Sequence, residues 1–146
     1  MSALSSELRG LIESGPLAHL TTINGDGSAQ VTGIWIALDG EEVLSGHMSH
    51  KRLVQNIERD PRVVLSFSAP KEPGAFLIPY AVLRATATVT GPSIDAWELL
   101  SRLAKVYMGP DAEFPAPRGP GFLVRYRVER VGGVGPWQAQ PHSFRQ

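Results

Sequence analysis

Two spacings of apolar residues alternate along the chain. Leu4, Leu8, Leu11 and Ile12 recur at helical spacing with Glu7, Arg9 and Glu13 between them, which predicts a short amphipathic helix ended by Gly15-Pro16. Leu17 to Ile23 is apolar and β-branched and predicts a strand. Asn24-Gly25-Asp26-Gly27 follows as a hairpin turn, because glycine supplies positive φ at little cost. Ser28 to Leu38 returns as one strand: Gln30, Thr32, Ile34, Ile36 and Leu38 share one face, and Val31, Gly33, Trp35 and Ala37 the other. Asp39-Gly40 turns the chain into a third strand, Glu41 to Gly46.

The second half repeats the alternation. Leu53, Val54 and Ile57 mark a helix that Asp60-Pro61 stops, since proline disfavours helical geometry in the residue before it. Arg62 to Ser68 is a fourth strand and residues 69–74 a loop. Phe76 to Val89 is a long β segment bent near Pro79. Pro92 to Tyr107 predicts a helix with Ile94, Trp97, Leu100, Ala104 and Tyr107 as its buried stripe. Met108 to Pro120 is proline-rich and irregular, and Gly121 to Val131 is a last strand before a Gly-Gly-Val-Gly-Pro-Trp turn. Tight hairpins imply antiparallel pairing, so the order predicts a mainly β (α+β) fold of about six strands in a closed or half-closed barrel with short helices at its seams. One domain is expected over residues 1–137, with 138–146 as a flexible tail.

Composition narrows the function. Fourteen basic residues balance fourteen acidic ones, which argues against a nucleic-acid protein. The absence of cysteine excludes disulfides, thiolate metal sites and cysteine nucleophiles. No apolar run approaches the roughly 20 residues of a membrane span, and residues 1–10 lack the apolar core of a signal peptide. A cytoplasmic protein is therefore expected. The sequence holds no Gly-x-Ser-x-Gly elbow and no P-loop. His19, His47, His50 and His142 are scattered, with only 47 and 50 close together, so no metal site is expected.

The chemistry gathers between Val43 and Arg62. Ser49 reads as the N-cap of the helix, with His50, Lys51 and Arg52 in its first turn. Cations are unfavourable at the positive end of a helix dipole. Together with free N–H groups they could hold a phosphate; equally, they could point into water. Gly33, in mid-strand, either lets a flat ligand approach the backbone or marks a bulge. Arg125 and Arg127 read as an exposed polar face. Trp137 could be a core plug, a subunit anchor or a lid on a flat ring.

In this order the segments LAHLTTINGDGSAQVTGIWIALDG, SGHMSHKRLVQNIERDPRVVLSF, RLAKVYMGPDAEFP and VERVGGVGPW resemble the pyridoxamine 5′-phosphate oxidase-like, flavin-reductase-like split-barrel proteins. Within that group they resemble the deazaflavin (coenzyme F420)-dependent oxidoreductases of the B type. The resemblance implies a six-stranded antiparallel split barrel that forms a homodimer, with cofactor in grooves between the subunits. It implies a ring resting on Gln30, Thr32, Gly33 and Ile34, with a phosphate held by Ser45, His47, Ser49, His50, Lys51 and Arg52. Asn56 would lie near that phosphate, and Trp137 would approach the ring. Many relatives carry a lysine where this chain has Leu53. The reaction implied is hydride transfer from reduced F420 to an unsaturated small molecule, with water, Tyr80 or His47 as proton source. An FMN-dependent enzyme of the same architecture and a non-catalytic flavin- or deazaflavin-binding protein are the alternatives.

Overall fold

The computed structural model describes residues 4–137. The elements, in chain order, are α1 (Ser6–Glu13), β1 (Ala18–Ile23), β2 (Ala29–Ile34), β3 (Ala37–Asp39), β4 (Glu42–His47), α2 (Arg52–Arg59), β5 (Arg62–Ser68), β6 (Tyr80–Ser93), α3 (Asp95–Tyr107) and β7 (Gly121–Val134). All pairings are antiparallel, in a sheet of order β2-β1-β5-β6-β7-β4-β3. The fold is thus the expected barrel-like α+β architecture, with seven strands among the described residues instead of six.

The seventh strand comes from the stretch expected to be one strand, Ser28 to Leu38. It divides at Trp35-Ile36 because its two halves belong to opposite edges of the sheet: β2 pairs only β1, and β3 pairs only β4. The chain bends there to leave one edge and join the other, which curls the sheet into a barrel with a seam. Tyr107 clasps the bend. Its hydroxyl accepts from the Ile36 N–H at 3.0 Å and donates to the Pro16 carbonyl at 2.8 Å. Its ring stacks on Trp35 at 5.0 Å between centroids.

Other boundaries also differ. Residues 76–79 lie outside β6, and β6 runs on through Ser93, so α3 begins at Asp95 instead of Pro92. β6 and β7 pair along most of their length, which carries β7 to Val134. The segment 138–146, expected to be a tail, lies outside the described residues.

The interior is filled from both helical and strand faces. Leu8, Leu11 and Ile12 of α1, Leu20 of β1, Leu65 and Phe67 of β5, Leu83 of β6 and Tyr126 of β7 form one cluster with Leu53, Val54 and Ile57 of α2. Each such side chain stabilises the fold by about 1.5–3 kcal/mol relative to exposure. Ser5 caps α1 by accepting from the Leu8 N–H at 3.2 Å. A second cluster lies on the outer face of the barrel, where Leu44 and Leu123 meet Leu99 and Leu103 of α3. Gly46 permits that contact: a Cβ there would come within 2.9 Å of the Ala96 carbonyl oxygen and 3.1 Å of Leu100 Cγ.

Candidate functional site

At the seam, the end of β2 faces the end of β4. Between them opens a cleft of about 440 Å³, with Gly33, Ile34 and Trp35 on one side and Gly46, His47, Met48, Ser49 and Lys51 on the other. Leu17 and Leu100 close its apolar flank. Phe114 and Ala116 of the irregular segment 108–120 cover one end. That segment hangs from α3: Trp97 Nε1 donates to the Ala116 carbonyl at 3.0 Å, and Lys105 Nζ to the Ala112 carbonyl at 3.2 Å. Phe114 meets Trp35 edge-on at 6.2 Å.

β2 is an edge strand, so its outer backbone groups face the seam without a strand partner. Gly33 continues the β1 register opposite His19, so it is a regular strand position and not a bulge. It is exposed, and a Cβ there would meet only Leu17 Cδ1, at 3.3 Å. Gln30 and Thr32 lie farther along β2 on the face shared with buried Ile34, and they do not line the cleft.

The start of α2 departs from expectation. Lys51, not Ser49, is the N-cap, and no side chain among the described residues caps the first turn. Gln55 instead reaches back to the His50 carbonyl at 2.8 Å. Ser49 is therefore left at the cleft rim, and its hydroxyl has no partner among the described residues. His50 turns away from the cleft, with Nε2 at 2.7 Å from Glu58 and its ring against Phe122.

Lys51 and Arg52 part company at this turn. Lys51 lines the cleft, where partial desolvation lowers the pKa of its ammonium although the side chain remains exposed. Arg52 lines a separate polar recess beneath the β1–β2 hairpin, with Asp26, Gln55 and Arg59. Asn56 is sealed against that recess as a joint of the fold. It donates to Thr22 Oγ1 at 3.0 Å and Asn24 Oδ1 at 2.9 Å, and accepts from Arg59 at 2.9 Å. Leu53, in the position where many relatives carry lysine, is 1% exposed in the core.

Ser45 and His47 point into the barrel. The Ser45 hydroxyl lies 2.8 Å from His47 Nε2 and 2.7 Å from the Tyr126 hydroxyl. Ser45 is fully buried and cannot touch a ligand in the cleft. Burial, with a smaller contribution from Lys51, holds the His47 imidazole pKa down at about 3, so the ring is neutral at physiological pH. Burial raises the Tyr126 phenol, which stays protonated.

Two expected neighbours lie elsewhere. Trp137 packs at the end of β7, donating Nε1 to the Tyr80 carbonyl at 3.1 Å, and Tyr80 begins β6 away from the cleft. Arg125 and Arg127 are engaged by acidic partners, Asp39 and Glu42 for the first and Glu129 for the second. A larger cavity of about 650 Å³ lies on the outer face beside α3. Its Arg125 is among those engaged, and none of its lining residues belongs to β2, so the smaller cleft is the candidate site. Sequence reasoning missed Leu17, Leu100, Phe114 and Ala116 as cleft walls. Only Phe114, an aromatic within a proline-rich stretch, carried a signal that could have drawn attention.

Among solved structures, an F420 reductase is 27% identical with a TM-score of 0.69, covering 85% of this chain and 94% of its own. A conserved hypothetical protein from Mycobacterium tuberculosis is 21% identical with a TM-score of 0.69, covering 95% of this chain and 90% of its own. A FAD-binding protein from Mesorhizobium loti is 17% identical with a TM-score of 0.63, covering 88% and 92%. The last two share the fold. A comparison with curated proteins finds no match. The family model described as pyridoxamine 5′-phosphate oxidase matches residues 4–135, nearly the whole described chain, and the protein belongs to that family.

Proposed function

We propose that this protein binds coenzyme F420 in the seam cleft and is a reductase of small unsaturated molecules. The observation that carries this reading is the juxtaposition of bare edge backbone at Gly33 with Ser49, Lys51 and the uncapped start of α2 across one cleft. A planar ring can lie against a strand that has no side chain at that point. A phosphate can be met by an ammonium, a hydroxyl and the N–H groups of the first helical turn. The cleft volume is in the range of cofactor sites. The likeness to an F420 reductase supports the choice of cofactor.

The cofactor supplies the hydride chemistry. The chain's contribution is orientation: β2 sets the plane of the ring, Lys51 and Ser49 fix its tail, and Phe114 with Trp35 walls off one end from water. Of the two side chains considered as proton sources, His47 lines the cleft and Tyr80 does not. Exposed Leu17 and Val31 beside Gly33 support a homodimer in which a second copy covers apolar surface next to the site, and exposed Phe76, Leu77 and Ile78 are further apolar surface for such a contact.

The test is a fluorescence titration with oxidised and reduced F420, and with FMN, followed by turnover of reduced F420 against enones and quinones. Micromolar binding of F420 with turnover supports the proposal. FMN binding alone would move the assignment to the FMN-dependent reading, and F420 binding without turnover to a carrier. Failure to bind either cofactor at roughly tens of micromolar would remove all three readings.

A further inference from the structure

The buried hydrogen bonds behind the cleft determine which nitrogen of His47 carries its proton. Tyr126 is fully buried, and Ser45 is its hydroxyl's partner among the described residues. A buried hydroxyl left without an acceptor is costly, so the Tyr126 O–H donates to Ser45 Oγ. Among the described residues the Ser45 proton then has one acceptor, His47 Nε2, at 2.8 Å. Nε2 therefore carries no proton, and the neutral ring holds its proton on Nδ1. The reverse tautomer would leave a buried hydroxyl proton without an acceptor. Nδ1 has no partner among the described residues, and no buried side-chain nitrogen or oxygen among them is unsatisfied. Nδ1 is consequently not sealed in the core. The cleft is the cavity that His47 lines.

We propose that His47 Nδ1–H is a direction-locked, uncharged hydrogen-bond donor for an acceptor atom of the cleft's ligand, with Ser45 and Tyr126 as its positioning residues. Resting on the reading above, the proposal specifies the ligand chemistry at this point of the site. The atom it meets is a neutral acceptor, such as a carbonyl oxygen, ring nitrogen or hydroxyl of a flavin-type cofactor. Charge is met separately, by Lys51 on the same wall. A ring that is neutral and committed at Nε2 is suited to polarise an acceptor and poorly suited to give up its proton. The resting His47 thus acts as a binding and orienting group and not as the proton source.

Two experiments test this. In the cofactor-free protein, 15N resonances and ring-proton couplings of labelled His47 report the tautomer directly. The Nδ1–H form at pH 7 is expected; the Nε2–H form or an imidazolium would overturn the proposal. Affinity for F420 and FMN is then compared across variants. The Asn side-chain amide in His47→Asn places a donor near the Nδ1 position, whereas His47→Gln restores only the partner of Ser45. His47→Asn should stay within about threefold of the parent, while His47→Gln and His47→Ala should lose on the order of tenfold, the worth of one hydrogen bond. Equal loss in all three, or retention by His47→Gln alone, would overturn the donor role. If the parent binds neither cofactor, the reading above fails, and the resonance measurement decides the donor by itself.

Discussion

Lys51 and Arg52 are neighbours in sequence yet serve different surfaces, Lys51 the seam cleft and Arg52 the recess beneath the β1–β2 hairpin. The two cations therefore cannot grip one phosphate as a pair. Lys51→Ala should weaken binding of a phosphate-bearing cofactor by about tenfold or more, the scale of a charged hydrogen bond, and the loss should shrink at high salt. Arg52→Ala should leave affinity within about twofold. Fluorescence titration at two ionic strengths separates them, and an equal effect of both substitutions would place the anion elsewhere.

Two glycines near the cleft should respond in opposite ways. Gly46→Ala drives a methyl group into the Ala96 carbonyl and Leu100, so α3 must shift. Its expected cost is about 1–3 kcal/mol in urea unfolding. Gly33→Ala meets only the flexible end of exposed Leu17. It should leave unfolding unchanged or slightly more resistant, while placing a methyl group on the wall where the ring is proposed to rest. Lost affinity with unchanged stability is the expected signature.

Asn56 should prove structural. Asn56→Ala removes the contacts to Thr22, Asn24 and Arg59 and leaves the fully buried Thr22 hydroxyl without that partner. Destabilisation of about 1–3 kcal/mol is expected, read as a lower urea midpoint with an unchanged slope. Weakened cofactor binding without any loss of stability would instead assign Asn56 to the site.

His47 makes stability depend on pH. Its pKa falls from 6.5 to about 3 on folding, so below pH 6.5 the unfolded chain binds a proton that the folded chain refuses. Stability should therefore rise with pH from about 3 and level off above about 6.5, with a slope approaching 1.4 kcal/mol per pH unit at its steepest. His47→Gln should flatten this slope between pH 4 and 6. Asp60, held at about 2 by its hydrogen bonds to Arg62, contributes only at lower pH. Urea unfolding at pH 4, 5, 6 and 7 distinguishes the profiles.

Local chemistry was legible where local forces decide. The Asn24–Gly27 turn, the Asp60-Pro61 stop and the apolar faces of α1 and α2 follow from residue types alone, whereas the buried face of α3 is Ala96, Leu99, Leu100, Leu103 and Ala104, with Trp97 and Tyr107 of the expected stripe only half-buried. The division of Ser28–Leu38 did not, because alternation continues unbroken through Trp35-Ile36 and only distant pairing with β1 and β4 separates its halves. The start of α2 was misread for a similar reason. Ser49 has the right side chain for a cap, but the helix begins at Arg52 with Lys51 at the N-cap position, two residues farther on. Of the expected site residues, Gly33, Ile34, His47, Ser49 and Lys51 meet at one cleft. Gln30, Thr32, Ser45, His50, Arg52, Asn56 and Trp137 do not line it. Strand parity could place Ser45 and His47 on one face, but it could not say that this face is the inside.

Besides Arg118, which meets Glu98 and the Trp97 ring, the covering segment 108–120 is fastened to α3 through its own carbonyl oxygens, at Ala112 and Ala116, while Trp97 and Lys105 on the helix provide the donors. Main-chain oxygens are common to every amino acid. Exchanging the side chains at 112, 114 or 116 would leave both fastenings chemically intact. Reshaping the roof to admit bulkier or more polar molecules would then touch the barrel only where Phe114 meets Trp35. What this protein accepts could be altered separately from how it stands up.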